Sequence, residues 1–135
     1  MAPSSNFYAL VVGVTPGGTG HAVALRFSQT YPVVLLSRSD ASRNQPIVDD
    51  IASRGGKALA LAADATDPAA VDAALQSVRE AWPEVTGGLA AVVFNADAGF
   101  TRKPFLELQP QDLDRSLGTS TYASSSSLEN TLAHT

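Results

Sequence analysis

Apolar positions gather in four short runs: Tyr8-Ala9-Leu10-Val11-Val12, Val33-Val34-Leu35-Leu36, Ala58-Leu59-Ala60-Leu61-Ala62 and Leu89-Ala90-Ala91-Val92-Val93-Phe94. The runs are nearly continuous rather than alternating, which is the pattern of parallel strands buried on both faces. Helix-like segments separate them. The first covers about 19–29, and the second about 47–53, where Gly55-Gly56 provides a C-terminal stop. The third has the clearest start: Asp67 can cap it and Pro68 suits the first helical position. Val71, Ala74, Leu75, Val78 and Trp82 then recur at helical spacing until Pro83 ends the segment, so Trp82 reads as packing rather than as a ligand platform. Strand, helix, strand, helix, strand, helix, strand predicts right-handed crossovers and a doubly wound α/β sheet. Ligands are then expected beyond the carboxyl ends of the strands.

A further helix is expected after Gln109-Pro110-Gln111-Asp112, with Leu113 and Leu117 on its apolar side. From Gly118 the chain is rich in serine and threonine, poor in helix formers and without apolar period, so regular structure should end there. The division expected is an N-terminal tail at 1–6, one nucleotide-binding domain at 7–117, and a disordered serine-rich tail at 118–135.

The ends of the strands carry the chemistry. Gly13-Val14-Thr15-Pro16-Gly17-Gly18-Thr19-Gly20 lies between the first strand and the first helix. Glycines there admit positive φ and leave room for an anion against the amides of a helix N-terminus, so the motif points to a pyrophosphate. A tight turn without a ligand is the plain alternative. Ser37-Arg38-Ser39 follows the second strand, Asp64-Ala65-Thr66-Asp67 the third and Asn95-Ala96-Asp97-Ala98-Gly99 the fourth. Singly these read as a solvated charge, a turn residue and a loop cap. Together they line one crevice.

Composition removes other classes. The 135 residues suit one domain, and a net charge of −4 with 16% charged residues offers no basic face for nucleic acid. No apolar stretch approaches the roughly 20 residues of a membrane span, and the first residues lack a signal-peptide pattern. The expectation is a soluble, cytoplasmic chain without a membrane partner. With no cysteine and two histidines, neither disulfides nor a metal centre is expected.

Over about 7–113 the sequence resembles the N-terminal half of a short-chain dehydrogenase/reductase. Gly13, Gly17 and Gly20 match that family's Gly-x-x-x-Gly-x-Gly turn, Asp64 its acid after the third strand, and Asn95-Ala96 its Asn-Ala segment. The wording of the glycine turn, with Arg102-Lys103-Pro104-Phe105-Leu106-Glu107-Leu108, is similar to a fungal branch. The resemblance implies a partial Rossmann-type sheet of about four strands and a nicotinamide dinucleotide as ligand. Gly13, Gly17 and Gly20 would shape the pyrophosphate turn. Asp64 and the Ala65 backbone would meet the adenine, and Asn95 the nicotinamide-side ribose. An acid after the second strand would repel a 2′-phosphate, whereas Ser37 and Arg38 offer a hydroxyl and a cation, so NADP(H) is expected over NAD(H).

Three departures from the family pattern stand out. Gly13 to Gly20 is seven steps instead of six, so either the loop bulges at Thr15 or Gly18, or Val14 takes the first glycine's place. Asp97 falls where the family has glycine, so its carboxylate faces the cofactor phosphates unless it turns to solvent. No catalytic serine or Tyr-x-x-x-Lys pair can be placed: Tyr122 is followed by Ala123-Ser124-Ser125-Ser126, and both lysines, Lys57 and Lys103, precede it. A lone tyrosine lacks the neighbour that would bring its pKa toward working pH. No catalytic residue is therefore assigned. The sequence resembles a truncated reductase, with apolar surface left around Leu89–Phe94 and Leu106–Leu113 and the family's usual oligomer in doubt. Three readings stay open: an NADP-dependent oxidoreductase completed by another chain, a non-catalytic NADP(H)-binding or redox-sensing module, and an inactive product.

Overall fold

A computed structural model describes residues 5–38, 40–96 and 101–122. The elements run β1 (Phe7–Val12), α1 (Thr19–Phe27), β2 (Val33–Ser37), α2 (Gln45–Ser53), β3 (Ala58–Ala62), α3 (Pro68–Ala81), β4 (Gly88–Phe94) and α4 (Pro110–Leu117). All strand pairs are parallel and the order is β3-β2-β1-β4. The chain thus winds outward from β1 through β2 to β3, then crosses to the other side of β1. The switch point lies where the carboxyl ends of β1 and β4 meet, with Val12 paired to Phe94.

Alternate residues of β1 and β2 enter opposite layers, as the two-residue strand period requires. Leu10, Val12, Val34 and Leu36 pack with Val71, Leu75, Val78 and Trp82 of the α3 side. Val11, Val33 and Leu35 pack with Ala24, Ile47 and Ile51 of α1 and α2. Leu35, Ile47 and Ile51 are fully buried, so truncating any one to alanine costs about 2–5 kcal/mol. The rim ion pair Lys57–Glu84 places the ammonium 5.0 Å from the Trp82 ring centre, which covers the wet edge of that packing residue.

The helix signals act as the sequence implies. Asp67 accepts from the Ala69 amide at 3.1 Å to start α3, and Gly55 takes positive φ where α2 ends. A 3-10 turn, Ala41–Asn44, precedes α2 and is started by the Asp40 carboxylate accepting from the Ser42 amide. Two expectations change. β3 and β4 are edge strands and only partly buried, in contrast to β1 and β2. Beyond α4 the backbone continues as a π-helical turn, Gly118–Tyr122, with Thr119 buried, where the serine- and threonine-rich composition implies loss of regular structure. The remainder of that segment, 123–135, lies outside the described residues.

Candidate functional site

The glycine turn is built by close approach of β1, α1 and the end of β4. Gly13 has φ +88°, and a Cβ placed on it would lie 2.5 Å from the Ala96 nitrogen. A Cβ on Gly20 would lie 2.4 Å from the Gly13 carbonyl oxygen. Only hydrogen fits at both positions. The Gly13 amide donates to the Leu36 carbonyl at 2.8 Å, and the Asn95 amide donates to the Val12 carbonyl at 2.7 Å. The Asn95 side chain then donates through Nδ2 to the Gly13 carbonyl at 3.1 Å.

This contact set decides the register of the over-long turn. Gly13 and Gly20 form the touching pair, while Val14 is buried in the α1–α2 layer and cannot replace the first glycine. The extra residue is absorbed between them, where the Gly18 amide donates to the Thr15 carbonyl at 2.9 Å and Gly17 takes φ +80° in open space. Gly18 is the N-cap of α1 and supplies no side-chain cap, and the first turn holds no acid. The start of α1 therefore sets no negative side chain against the positive end of its dipole, which favours an anion there.

At the end of β2, Ser37 and Arg38 point to different places. Ser37 is buried and its hydroxyl oxygen accepts from Asn44 Nδ2 at 2.9 Å. Arg38 is exposed. Register between β2 and β3, with Ser37 opposite Ala62 and the Ala63 amide donating to the Ser37 carbonyl at 2.9 Å, sets Asp64 on the neighbouring strand end. Asp64 accepts from the Thr66 hydroxyl at 2.7 Å and the Thr66 amide at 2.9 Å. Those bonds hold its carboxyl below the ordinary carboxylate range, with a smaller lowering from the Arg38 charge. Ala65 is buried under this turn.

The structure therefore brings Gly13, Gly17, Gly20 and Asn95 into one unit and sets Arg38, Asp64 and Ala65 on adjoining strand ends. A notch of about 60 Å³ between the turn and the next element is lined by Val14, Thr15, Pro16, Arg43 and Asn44. A hollow of about 560 Å³ lined by Ala22, Leu25, Arg26, Ser28, Gln29 and Arg54 contains none of the sequence-derived candidates. Asp97 and Gly99 lie outside the described residues. Among the described residues no cluster of three or more His, Cys, Asp or Glu side chains could hold a metal ion.

Two participants escaped the sequence reading. Asn44 is fully buried and fixes Ser37, yet its only signal is a polar residue just before a helix-start proline. His21 follows Gly20 directly and accepts through Nδ1 from the Gly17 amide at 3.0 Å.

A sequence profile described as short chain dehydrogenase matches residues 8–132. The chain belongs to the short chain dehydrogenase family. Among solved members, a short-chain dehydrogenase/reductase from Serratia marcescens is 28% identical with a TM-score of 0.80, covering 98% of this chain and 52% of that one. A short chain dehydrogenase from Burkholderia cenocepacia, solved in complex with NADP, is 31% identical with a TM-score of 0.77, covering 96% and 51%. A curated family relative, the (2S)-[(R)-hydroxy(phenyl)methyl]succinyl-CoA dehydrogenase subunit of Thauera aromatica, is 33% identical over 101 residues, which are 73% of this chain and 39% of that protein. The chain thus spans about half the length of these short-chain dehydrogenase structures and less of the curated relative. No helix among its described residues is long and apolar enough to cross a membrane.

Proposed function

We propose that these 135 residues form the dinucleotide-binding half of an NADP(H)-dependent short-chain oxidoreductase, with the nucleotide domain at 7–117. The observation that carries the reading is the Gly13–Gly20–Asn95 closure at the switch point: side chains are excluded there, and the uncapped start of α1 opens beside it. That cradle fits a pyrophosphate. Gly13, Gly17 and Gly20 shape it, Asp64 and the Ala65 backbone face the adenine, and Asn95 fixes the turn from the side expected to hold the second ribose.

Cofactor choice rests on Arg38. It is the exposed cation after β2, and no acid at that position competes with a 2′-phosphate. Ser37, held inward by Asn44, sets the strand end from which Arg38 projects rather than offering an outward hydroxyl. A bound nicotinamide would supply hydride; the proton on the substrate oxygen needs a tuned acid, and Tyr-x-x-x-Lys does not occur in these residues. That relay must come from outside the 135 residues for carbonyl reduction to proceed. A second reading, an NADP(H)-binding or redox-sensing module without turnover, would use the same cradle.

The deciding experiment is titration of the chain with NADPH and NADH, followed by a carbonyl-dependent NADPH oxidation assay. Arg38→Ala should weaken NADPH binding about tenfold or more and leave NADH binding nearly unchanged. Equal losses for both would remove Arg38 from the site. Turnover by the isolated chain would displace the module reading.

A further inference from the structure

His21 is the third residue of α1, and its ring bridges the glycine turn and α2. Nδ1 accepts from the Gly17 amide at 3.0 Å, and Nε2 lies 3.2 Å from Asp50 Oδ2. Asp50 is fixed in turn by Arg54, whose Nε donates to its other oxygen at 2.8 Å. These contacts define a proton inventory. A ring that accepts at Nδ1 carries its hydrogen on Nε2 and gives it to Asp50. A second proton has one place to go, Nδ1, and a protonated Nδ1 cannot accept from Gly17.

We propose that His21 is a positioning residue for the dinucleotide and makes its affinity depend on protonation, a proposal that rests on the nucleotide-binding reading above. With His21 neutral, the Gly17 amide is taken up inside the chain. With His21 protonated, that amide is released and a cation stands at the start of α1, beside the opening that receives the pyrophosphate. Both changes favour the anion. The ring keeps its seat, because Asp50 still accepts from Nε2. Among the described residues the charged groups facing the imidazole are Asp50 on α2 and, behind it, Arg54 at the C-cap of that helix; the turn from Gly13 to Gly20 contributes none. Asp50 is held in its charged form, its carboxyl lying below the usual range through its bond to Arg54 and, less, through His21. Histidine is the side chain that changes charge between about pH 5 and pH 8, and the bridge is only partly exposed, at 18% for His21 and 30% for Asp50.

The test compares NADP⁺ affinity of the whole 135-residue chain with His21→Gln and His21→Arg between about pH 8 and about pH 5.5. Ionisation of the ligand is common to all three proteins and cancels in their ratios. Relative to His21→Gln, which keeps a neutral acceptor, the unaltered chain should gain about three- to tenfold in affinity as pH falls. His21→Arg, a permanent cation with no acceptor, should match the acid-form affinity across the range. The backbone amide of Gly17, followed by NMR in the unaltered chain without ligand, should shift along the same curve as the His21 ring. A pH dependence that persists in His21→Gln, or a Gly17 amide indifferent to the His21 titration, overturns the proposal while leaving the nucleotide site standing. Absence of saturable NADP⁺ binding at every pH overturns both.

Discussion

Two glycines of the turn, Gly13 and Gly17, have different duties, and substitution separates them. At Gly13 an added methyl meets the Ala96 backbone at 2.5 Å as well as the penalty of positive φ. Gly13→Ala should therefore cost about 3 kcal/mol or more and abolish dinucleotide binding. At Gly17 the φ penalty stands alone, because nothing lies within 4 Å of the added atom; the expected cost is about 1–2 kcal/mol. Thermal melts of the two variants check the contrast, and equal losses would contradict the contact geometry. Tyr8 supplies a pH prediction. Burial raises its phenol above the ordinary value of 10.0, partly offset by the charge of Arg79. For a group raised on folding, the stabilisation is complete below the unfolded value and disappears as pH climbs through the folded one. The melting temperature should thus fall above about pH 10, and less steeply in Tyr8→Phe. Sequence made the turn geometry at the glycines, Asp64 and Asn95 visible because Gly, Asp and Asn are the residues that strand-end turns use. It left the orientation of Ser37 and the His21 bridge hidden, since Asn44 and Asp50 are ordinary polar residues until the fold brings them near.

Elements were legible in proportion to how local their causes are. α3 begins where Asp67 and Pro68 say it should and ends at Trp82 after an apolar stripe all of whose members are buried. Asp67→Ala removes the side-chain acceptor for the Ala69 amide and should lower stability by about 1 kcal/mol; Asp67→Ser, which restores a capping oxygen, should recover most of it. Denaturant melts of the pair are the check. α4 is likewise started by a reciprocal pair, the Asp112 carboxylate accepting from the Gln109 amide at 3.0 Å and the Asp112 amide donating to the Gln109 carbonyl at 2.9 Å, while Lys103 donates to the same carboxylate at 3.1 Å. The extent of the chain's helical run beyond Leu117 was not legible. The π-helical turn at Gly118–Tyr122 follows residues of low intrinsic helix propensity, so context rather than composition sustains it. The uneven burial of the strands was also hidden, because continuous apolar runs look alike whether a strand ends up central or at an edge.

On the scale of the molecule, apolar surface is left uncovered on the α4 side. Leu106 is 92% exposed, Phe105 84% and Leu113 60%, and β4 is only partly buried. These side chains contribute little to the stability of the described fold and much to its adhesiveness. Leu106→Gln with Leu113→Gln should reduce light scattering of concentrated solutions while changing the melting temperature by no more than about 2 °C. A large drop in melting temperature would mean that this face is packed in solution.

Asn95 reaches back over 82 positions to grip the Gly13 carbonyl, and Ala96 forms the wall against which Gly13 fits. Timing follows from that span. A growing chain makes β1, the glycine turn and α1 early, but the floor of the turn does not exist until residue 96 has been synthesised and β4 has docked. Closing so long a loop is slow and entropically costly compared with forming the neighbouring helices. A nucleotide bound as proposed above would therefore be unable to template the fold from its first motif; it would arrive at a keystone set late and lock an arch already standing.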